Sequence, residues 1–295
     1  MSLADLLFGT QLIEMLQSLL APGFNLIFMA ITLLGNDAVL VGLTAVIYWC
    51  FDKRRGRLVT YALFFGAYVN FFLKILVPWP RPPAALRIVE KNETSYGFPS
   101  GNAQDSTTFW TWISLDFRKL LLAILGAVIV LAVGISRVYL GVHYPAQVIG
   151  GWVIGFAIAG LGALIIRHFP TQSRETRPVS QLLFAFTTLI PLVIAVKMGA
   201  AGEINPAQLG GYLFAFSLGA VAEERYVSFK TDISYARRIL RIAVGGGIVG
   251  FLVIALGPIL PLTYLIPAFA NSFIRGLAVV LIAPMVFKII ERNLG

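Results

Sequence analysis

Charge and sulfur are what this 295-residue chain has least of. Asp, Glu, Lys and Arg make up 13% of it against 58% hydrophobic residues, and its mean hydropathy is +0.83. A soluble domain carries about 25% charged residues, so an ordinary water-soluble fold is excluded and an integral membrane protein is implied. Cysteine occurs once, as Cys50. That excludes an internal disulfide and argues against a cysteine-ligated metal centre; a small buried hydrophobe accounts for it. Histidine occurs twice, at His143 and His168. The opening residues Ser2, Ala4 and Asp5 lack the basic start and small-residue cleavage site of a signal peptide, so no removable leader is expected. Low-complexity tracts and a convincing internal repeat are also missing.

What is present is a series of long apolar segments, at residues 37–51, 58–77, 99–115, 120–136, 143–166, 181–196, 207–221, 239–261 and 267–290. Most approach the roughly 20 residues that a helix needs to cross about 30 Å of hydrocarbon. The expectation is an all-α, polytopic membrane helical bundle of about nine transmembrane helices. Residues 3–20 place Asp5, Gln11, Glu14 and Ser18 among Leu6, Ile13, Leu16 and Leu20 at helical spacing, the pattern of an N-terminal amphipathic helix lying at the membrane interface.

The basic residues are unevenly placed. Lys53, Arg54, Arg55 and Arg57 follow the first span, Arg118 and Lys119 the third, Arg167, Arg174 and Arg177 the fifth, and Arg225, Lys230, Arg237, Arg238 and Arg241 surround the loop after the seventh. The positive-inside rule makes those loops cytoplasmic, and the opposite loops, 78–98, 141–142, 197–205 and 262–266, face outward. The net charge of +9 then reports topology and contact with anionic membrane lipids. It is no nucleic-acid footprint, because there is no soluble basic domain with interleaved aromatics.

Three outward helix ends carry polar chemistry. Lys74 lies near the end of the second span, and the prolines of "ILVPWPRPP" stiffen the chain that presents Arg81; alone, Lys74 reads equally well as a snorkelling anchor. "PSGN" opens the third span: Ser100 can cap the helix, Gly101 lets the backbone approach a ligand, and the exposed amides make an anion site. In "SRVYLGVHYPAQ", Arg137 closes the fourth span and His143 opens the fifth, with Gln147 one turn on. The Gln147 amide oxygen can accept from one imidazole nitrogen and leave the other nitrogen's lone pair free. Any one of these is commonplace, but all three on one side can converge on one small anion.

Lys74 with six residues before Arg81-Pro82, then Pro99-Ser100-Gly101, then Ser136-Arg137 with five residues before His143 resembles the three-part signature of the type 2 phosphatidic acid phosphatase superfamily, the membrane relatives of vanadium haloperoxidases. The resemblance covers about residues 25–165. It implies a phosphatase-like helical core at residues 1–168, with residues 180–295 as additional transmembrane helices of unassigned role. It also implies metal-independent phosphoryl transfer without a cofactor, at a site on the outer face. Lys74, Arg81 and Arg137 would hold the phosphate oxygens with help from Ser100 and Gly101, and His143 would be the nucleophile, forming a phosphohistidine that water hydrolyses. A lipid or polyprenyl phosphate or diphosphate is the expected substrate.

Two positions depart from that pattern. Gln147 stands where the signature usually has Asp, resembling the glucose-6-phosphatase branch. Asn102 stands where the signature has the histidine that protonates the departing alcohol, and a carboxamide gives up no proton near neutral pH. His168 lies at the other end of its span, and Asp105, one turn along, reads as ionised beside water and cations, so neither is the expected replacement. The chain as written is therefore expected to be impaired. Either it is a natural member with lost or altered catalysis, or position 102 carries an inactivating substitution, which the completeness of the rest of the site favours. A lipid-phosphate carrier and a phosphotransferase with a lipid or sugar acceptor are the alternatives.

Overall fold

A computed structural model describes residues 2–89, 95–168, 177–198 and 206–293, and every regular element among them is helical. The chain divides into two compact units, Met1–Gly42 with Phe65–Pro170, and Leu43–Phe64 with Thr171–Gly295.

The first unit begins with α1 (Leu3–Phe8) and α2 (Gln11–Leu20). The single helix expected over residues 3–20 is broken at Gly9-Thr10. Ser2 and Asp5 form a reciprocal capping box at the start of α1, and Gly9, in extended conformation, ends it. α2 docks on protein: Ile13 is fully buried with Ala103, Val138 and Val148, and Gln17 Nε2 donates to the carbonyls of Leu86 and Tyr139 at 2.8 and 2.7 Å. Next come α3 (Asn25–Leu33), which the sequence reading did not separate as an element, and α4 (Asp37–Cys50), of which only residues 37–42 belong to this unit. The two meet at a 46° bend. α5 (Lys53–Leu76), which belongs to this unit from Phe65 on, a short 3₁₀ turn at Ala84–Leu86, α6 (Gly101–Phe117), α7 (Leu120–Tyr139) and α8 (Pro145–His168) follow.

α6 is the centre of this unit and packs on both α7 and α8. Its face toward α8 approaches so closely that a Cβ at Gly151 or Gly155 would strike the carbonyl oxygens of Ser100 and Gln104. Small residues of this kind let membrane helices meet backbone to backbone. Its polar run Gln104, Asp105, Ser106, Thr107, Thr108 is wholly buried. Thr107 and Thr108 satisfy their hydroxyls on carbonyls one turn back, at 2.6 and 3.0 Å.

The second unit holds α9 (Arg177–Thr187), α10 (Ile190–Lys197), α11 (Pro206–Ala222), α12 (Tyr235–Ile259), α13 (Leu265–Leu277) and α14 (Ala283–Asn293). α11 packs mainly on α13. Wide π turns extend α11 through Glu223–Val227 and join α13 to α14 through Ala278–Ile282. Glu223 is fully buried yet satisfied: it receives Lys53 Nζ at 2.6 Å, Tyr48 Oη at 3.3 Å and the Phe229 amide at 3.1 Å.

Six helices among the described residues are long and apolar enough to cross a membrane, and α3 with α4 would make a seventh as one bent span. The nine spans read from the sequence also count α6 and α11, which at 17 residues each extend only about 25 Å. Large apolar side chains on the outside, such as Leu120 at 77% exposure and Ile254 at 78%, are those that lipid would cover.

Candidate active site

The site is assembled by the first unit where α5, α6, α7 and the turn into α8 end. Gly66, Asn70 and Lys74 lie four residues apart on one face of α5. Lys74 is 7% exposed, so the snorkelling reading is set aside; its Nζ donates to Ser95 Oγ at 3.1 Å and the Tyr96 carbonyl at 2.9 Å. Asn70 Nδ2 donates to Gln104 Oε1 at 3.0 Å and to the Pro99 carbonyl at 3.3 Å, tying α5 to the start of α6.

Arg81 comes in from the proline-stiffened loop. Its Nε donates to the Ser95 carbonyl at 2.7 Å, one terminal nitrogen to Ser95 Oγ at 2.7 Å, and the other to the Val142 carbonyl at 3.2 Å and to His143 Nε2 at 2.9 Å. Trp79 holds the same loop by stacking on Phe8, Phe98 and Tyr144.

His143 lies in the turn between α7 and α8, two residues before α8 begins. It is 1% exposed, and its Nδ1 is 3.2 Å from Gln147 Oε1, the contact expected from their spacing. Gln147 has its orientation set twice more: Oε1 accepts from the Tyr144 amide at 3.2 Å and Nε2 donates to the Pro80 carbonyl at 2.8 Å. Since Oε1 is the acceptor, Nδ1 carries the hydrogen. Arginine only donates, so Nε2 bears the lone pair. The expectation of a free lone pair is corrected: Arg81 occupies it. Burial first, and the charges of Arg81, Arg137 and Lys74 second, hold this imidazole well below the usual histidine range.

Ser100 takes the N-cap position of α6, but its hydroxyl makes no capping bond. That oxygen is fully buried without a hydrogen-bond partner, while the Ser100 amide donates to the Gln147 carbonyl at 3.0 Å. Beside Gly101 a Cβ would meet nothing closer than Asn70 Oδ1 at 3.8 Å, so the protein itself does not require glycine there.

Arg137, 7% exposed, donates to Thr32 Oγ1 at 3.1 Å. Asn102 Nδ2 donates to the carbonyl of the same Thr32 at 3.1 Å. Thr32 is the residue the sequence reading missed, along with Asn70 and Ser95. A polar residue one turn before Lys74 on an apolar helix, and a threonine just ahead of Gly35-Asn36-Asp37, were the signals available. Asp105 is 7% exposed and pairs with Asp37, which is itself exposed at the start of α4. His168 ends α8, at the opposite end from His143.

Two buried cations, Lys74 and Arg137, the partly exposed Arg81, an unpartnered hydroxyl and an imidazole with a directed lone pair have the chemistry to hold an oxyanion and to present a nitrogen to it. Residues 55–171 match the model of the PAP2 superfamily, and residues 207–292 match that of the PAP2 superfamily phosphatase, transmembrane extension. Phosphatidylglycerophosphatase B of Bacillus subtilis (strain 168) is 31% identical over 150 residues, which span 46% of this chain and 72% of that protein. Undecaprenyl-diphosphatase of Sulfolobus acidocaldarius is 36% identical over 88 residues, 30% of this chain and 42% of the relative. Lipid phosphate phosphatase delta of Arabidopsis thaliana is 26% identical over 168 residues, 48% of this chain and 40% of the relative. A crystal structure of the first transmembrane PAP2 type phosphatidylglycerolphosphate phosphatase from Bacillus subtilis superposes with a TM-score of 0.50 at 25% identity, covering 56% of this chain and 87% of that one. The match to the first of these relatives along most of its length, with both family models falling in order, places this chain in the PAP2 superfamily of membrane phosphatases.

Proposed function

We propose that this chain hydrolyses the phosphate or diphosphate of a lipid or polyprenyl substrate at the outer membrane face, through a phosphohistidine on His143. The observation that carries the reading is the imidazole held by Gln147 at Nδ1 and by Arg81 at Nε2. It is the one arrangement in the site that fixes both a nucleophile and the cation that would accompany its target. A phosphate entering among Lys74, Arg81 and Arg137 draws Arg81 toward its oxygens, and Nε2 then faces phosphorus. The positive-inside distribution supports the outer face, and the relatives' names support the substrate class.

Asn102 gives no proton to the leaving group, so alkyl leaving groups should depart more slowly than nitrophenolate, which needs none. General acid catalysis is worth about 10² to 10⁴ in rate. Asn102→His should therefore raise lipid-phosphate turnover by about 10² or more and change nitrophenyl phosphate turnover far less. His143→Ala should abolish both while leaving phosphate affinity within a few fold, whereas Arg137→Ala should damage binding and turnover together. Activity should also survive excess chelator, because side-chain cations neutralise the phosphate. Phosphate release is measured from phosphatidylglycerophosphate, phosphatidic acid and undecaprenyl diphosphate in detergent micelles. The presence of Asn102 favours one second reading, a lipid-phosphate carrier; tight binding with no release from any substrate, even by Asn102→His, would establish it.

A further inference from the structure

If His143 attacks and Asn102 cannot protonate, a proton for the departing alkoxide has to come from elsewhere in the first unit. One turn beyond Asn102 on α6, Asp105 is 93% buried by its 7% exposure, and it is hydrogen-bonded to Asp37 at the start of α4. Ionised carboxylates only accept hydrogen bonds, so two carboxyl groups in contact can bond to each other when one of them carries a proton. Two like charges at that separation do not both ionise readily. The other oxygen, Asp105 Oδ1, is buried with no hydrogen-bond partner. A Cβ added at Gly66 on α5 would lie 3.6 Å from it, so it lies against the face of α5 that also carries Asn70 and Lys74.

The segment that brings Asp37 also touches position 102. A Cβ at Gly35, two residues before Asp37, would meet the Asn102 carbonyl oxygen and side chain, and Thr32 bonds both Asn102 and Arg137. The charged groups that face the pair are few. α5 contributes Lys74. α7 contributes only Arg137, near its outer end, and α8 has no ionisable side chain from Pro145 to Ile166. On α6 the next ionisable residue is Asp116, three turns away.

We propose that the Asp37–Asp105 pair is the proton store of this active site, delivering through a water the proton that a histidine at position 102 would give directly. The proposal rests on the phosphohistidine reading. In the first half-reaction the bond from His143 Nε2 to phosphorus forms, the bond from phosphorus to the alcohol oxygen breaks, and the proton shared by the pair moves to that oxygen. Lys74 then faces two carboxylates. In the second, water attacks the phosphohistidine, the nitrogen–phosphorus bond breaks, phosphate leaves, and the proton released by water returns to the pair. Both half-reactions balance with no further reactant.

The test is a leaving-group comparison on the full chain in detergent micelles, with phosphatidic acid and nitrophenyl phosphate assayed on the same samples. Asp105→Asn and Asp37→Asn should each lower turnover of phosphatidic acid at least about 30-fold more than that of nitrophenyl phosphate, a loss within the range of general acid catalysis. The alkaline limb of the phosphatidic acid profile should disappear with the pair. In an Asn102→His background the same substitutions should cost much less, because the direct donor bypasses the store. Equal losses on both substrates, or losses undiminished by Asn102→His, would show a structural role and overturn the proposal. If neither the parent chain nor Asn102→His releases phosphate from either substrate, the phosphatase reading itself falls.

Discussion

A histidine nucleophile in water is limited on the acid side by protonation near pH 6.5, but His143 begins from a different state. Burial and three neighbouring cations already disfavour its charged form. On the proposed mechanism the imidazole is neutral and attacks above the lowered value, and activity is lost only when pH falls through it. The acid limb of kcat/KM, which reports free enzyme, should lie well below pH 6.5 once the substrate's own titration is allowed for. Bound phosphate offsets the charges of Arg81, Arg137 and Lys74, so the acid limb of kcat should lie at higher pH than that of kcat/KM. Measured profiles with nitrophenyl phosphate check both, and a kcat/KM limb at or above 6.5 would contradict the assignment. The other residue whose state turned on the fold is Asp105. From the sequence it is a carboxylate at a helix start near water; in the folded chain it is 7% exposed and α4 sets the exposed Asp37 against it.

At the scale of elements, the turn between α7 and α8 has the narrowest tolerance. Gly141 sits at φ +70, and a Cβ there would overlap the Leu86 carbonyl. An L-residue in that region costs roughly 1–2 kcal/mol before the overlap is counted. His143 follows by two residues and its amide is bonded to the Arg137 carbonyl at 3.3 Å, so relief of the strain moves the proposed nucleophile. Gly141→Ala should lower kcat about tenfold or more, the equivalent of about 1.4 kcal/mol, with a modest drop in melting temperature. Kinetics and thermal unfolding on one preparation would separate the two effects. The α3–α4 bend is the element the sequence hid. α3 is nine residues long, too short to announce itself as a span, and its importance lies in the bonds Thr32 makes to α6 and α7 residues distant in sequence.

At the scale of the whole molecule, each unit buries its own charged groups. In the second, Arg241 is 1% exposed; it binds Glu291 through two nitrogens, at 2.6 and 2.8 Å, and donates to the carbonyls of Trp49 and Lys230. Removing one partner of a buried pair costs about 3–5 kcal/mol, because the other charge stays behind. Arg241→Ala should therefore lower the melting temperature sharply, and adding Glu291→Gln should recover part of the loss; thermal unfolding of the single and double variants is the check. If the single variant melted like the parent, the Arg241–Glu291 pair would not be a clamp. The basic residues counted from the sequence as topology markers thus include one, Arg241, that is a structural clamp.

By itself the sequence determined that this is a helical membrane protein, which helix ends carry charge, and the order and spacing of the residues expected, by resemblance, to hold phosphate. Those properties are written in composition and in local periodicity, and the expected residues Lys74, Arg81, Ser100, Arg137, His143 and Gln147 are indeed joined to one another or to shared partners in one unit. Only the tertiary structure decided the state of each group. It showed that Arg81 covers the imidazole, that the Ser100 hydroxyl is left unpaired instead of capping its helix, that Thr32 links Asn102 to Arg137, and that Asp105 faces Asp37. The reason is physical: protonation and hydrogen bonding depend on what lies a few ångströms away, and here those neighbours come from helices up to about 70 or 100 residues apart in the chain.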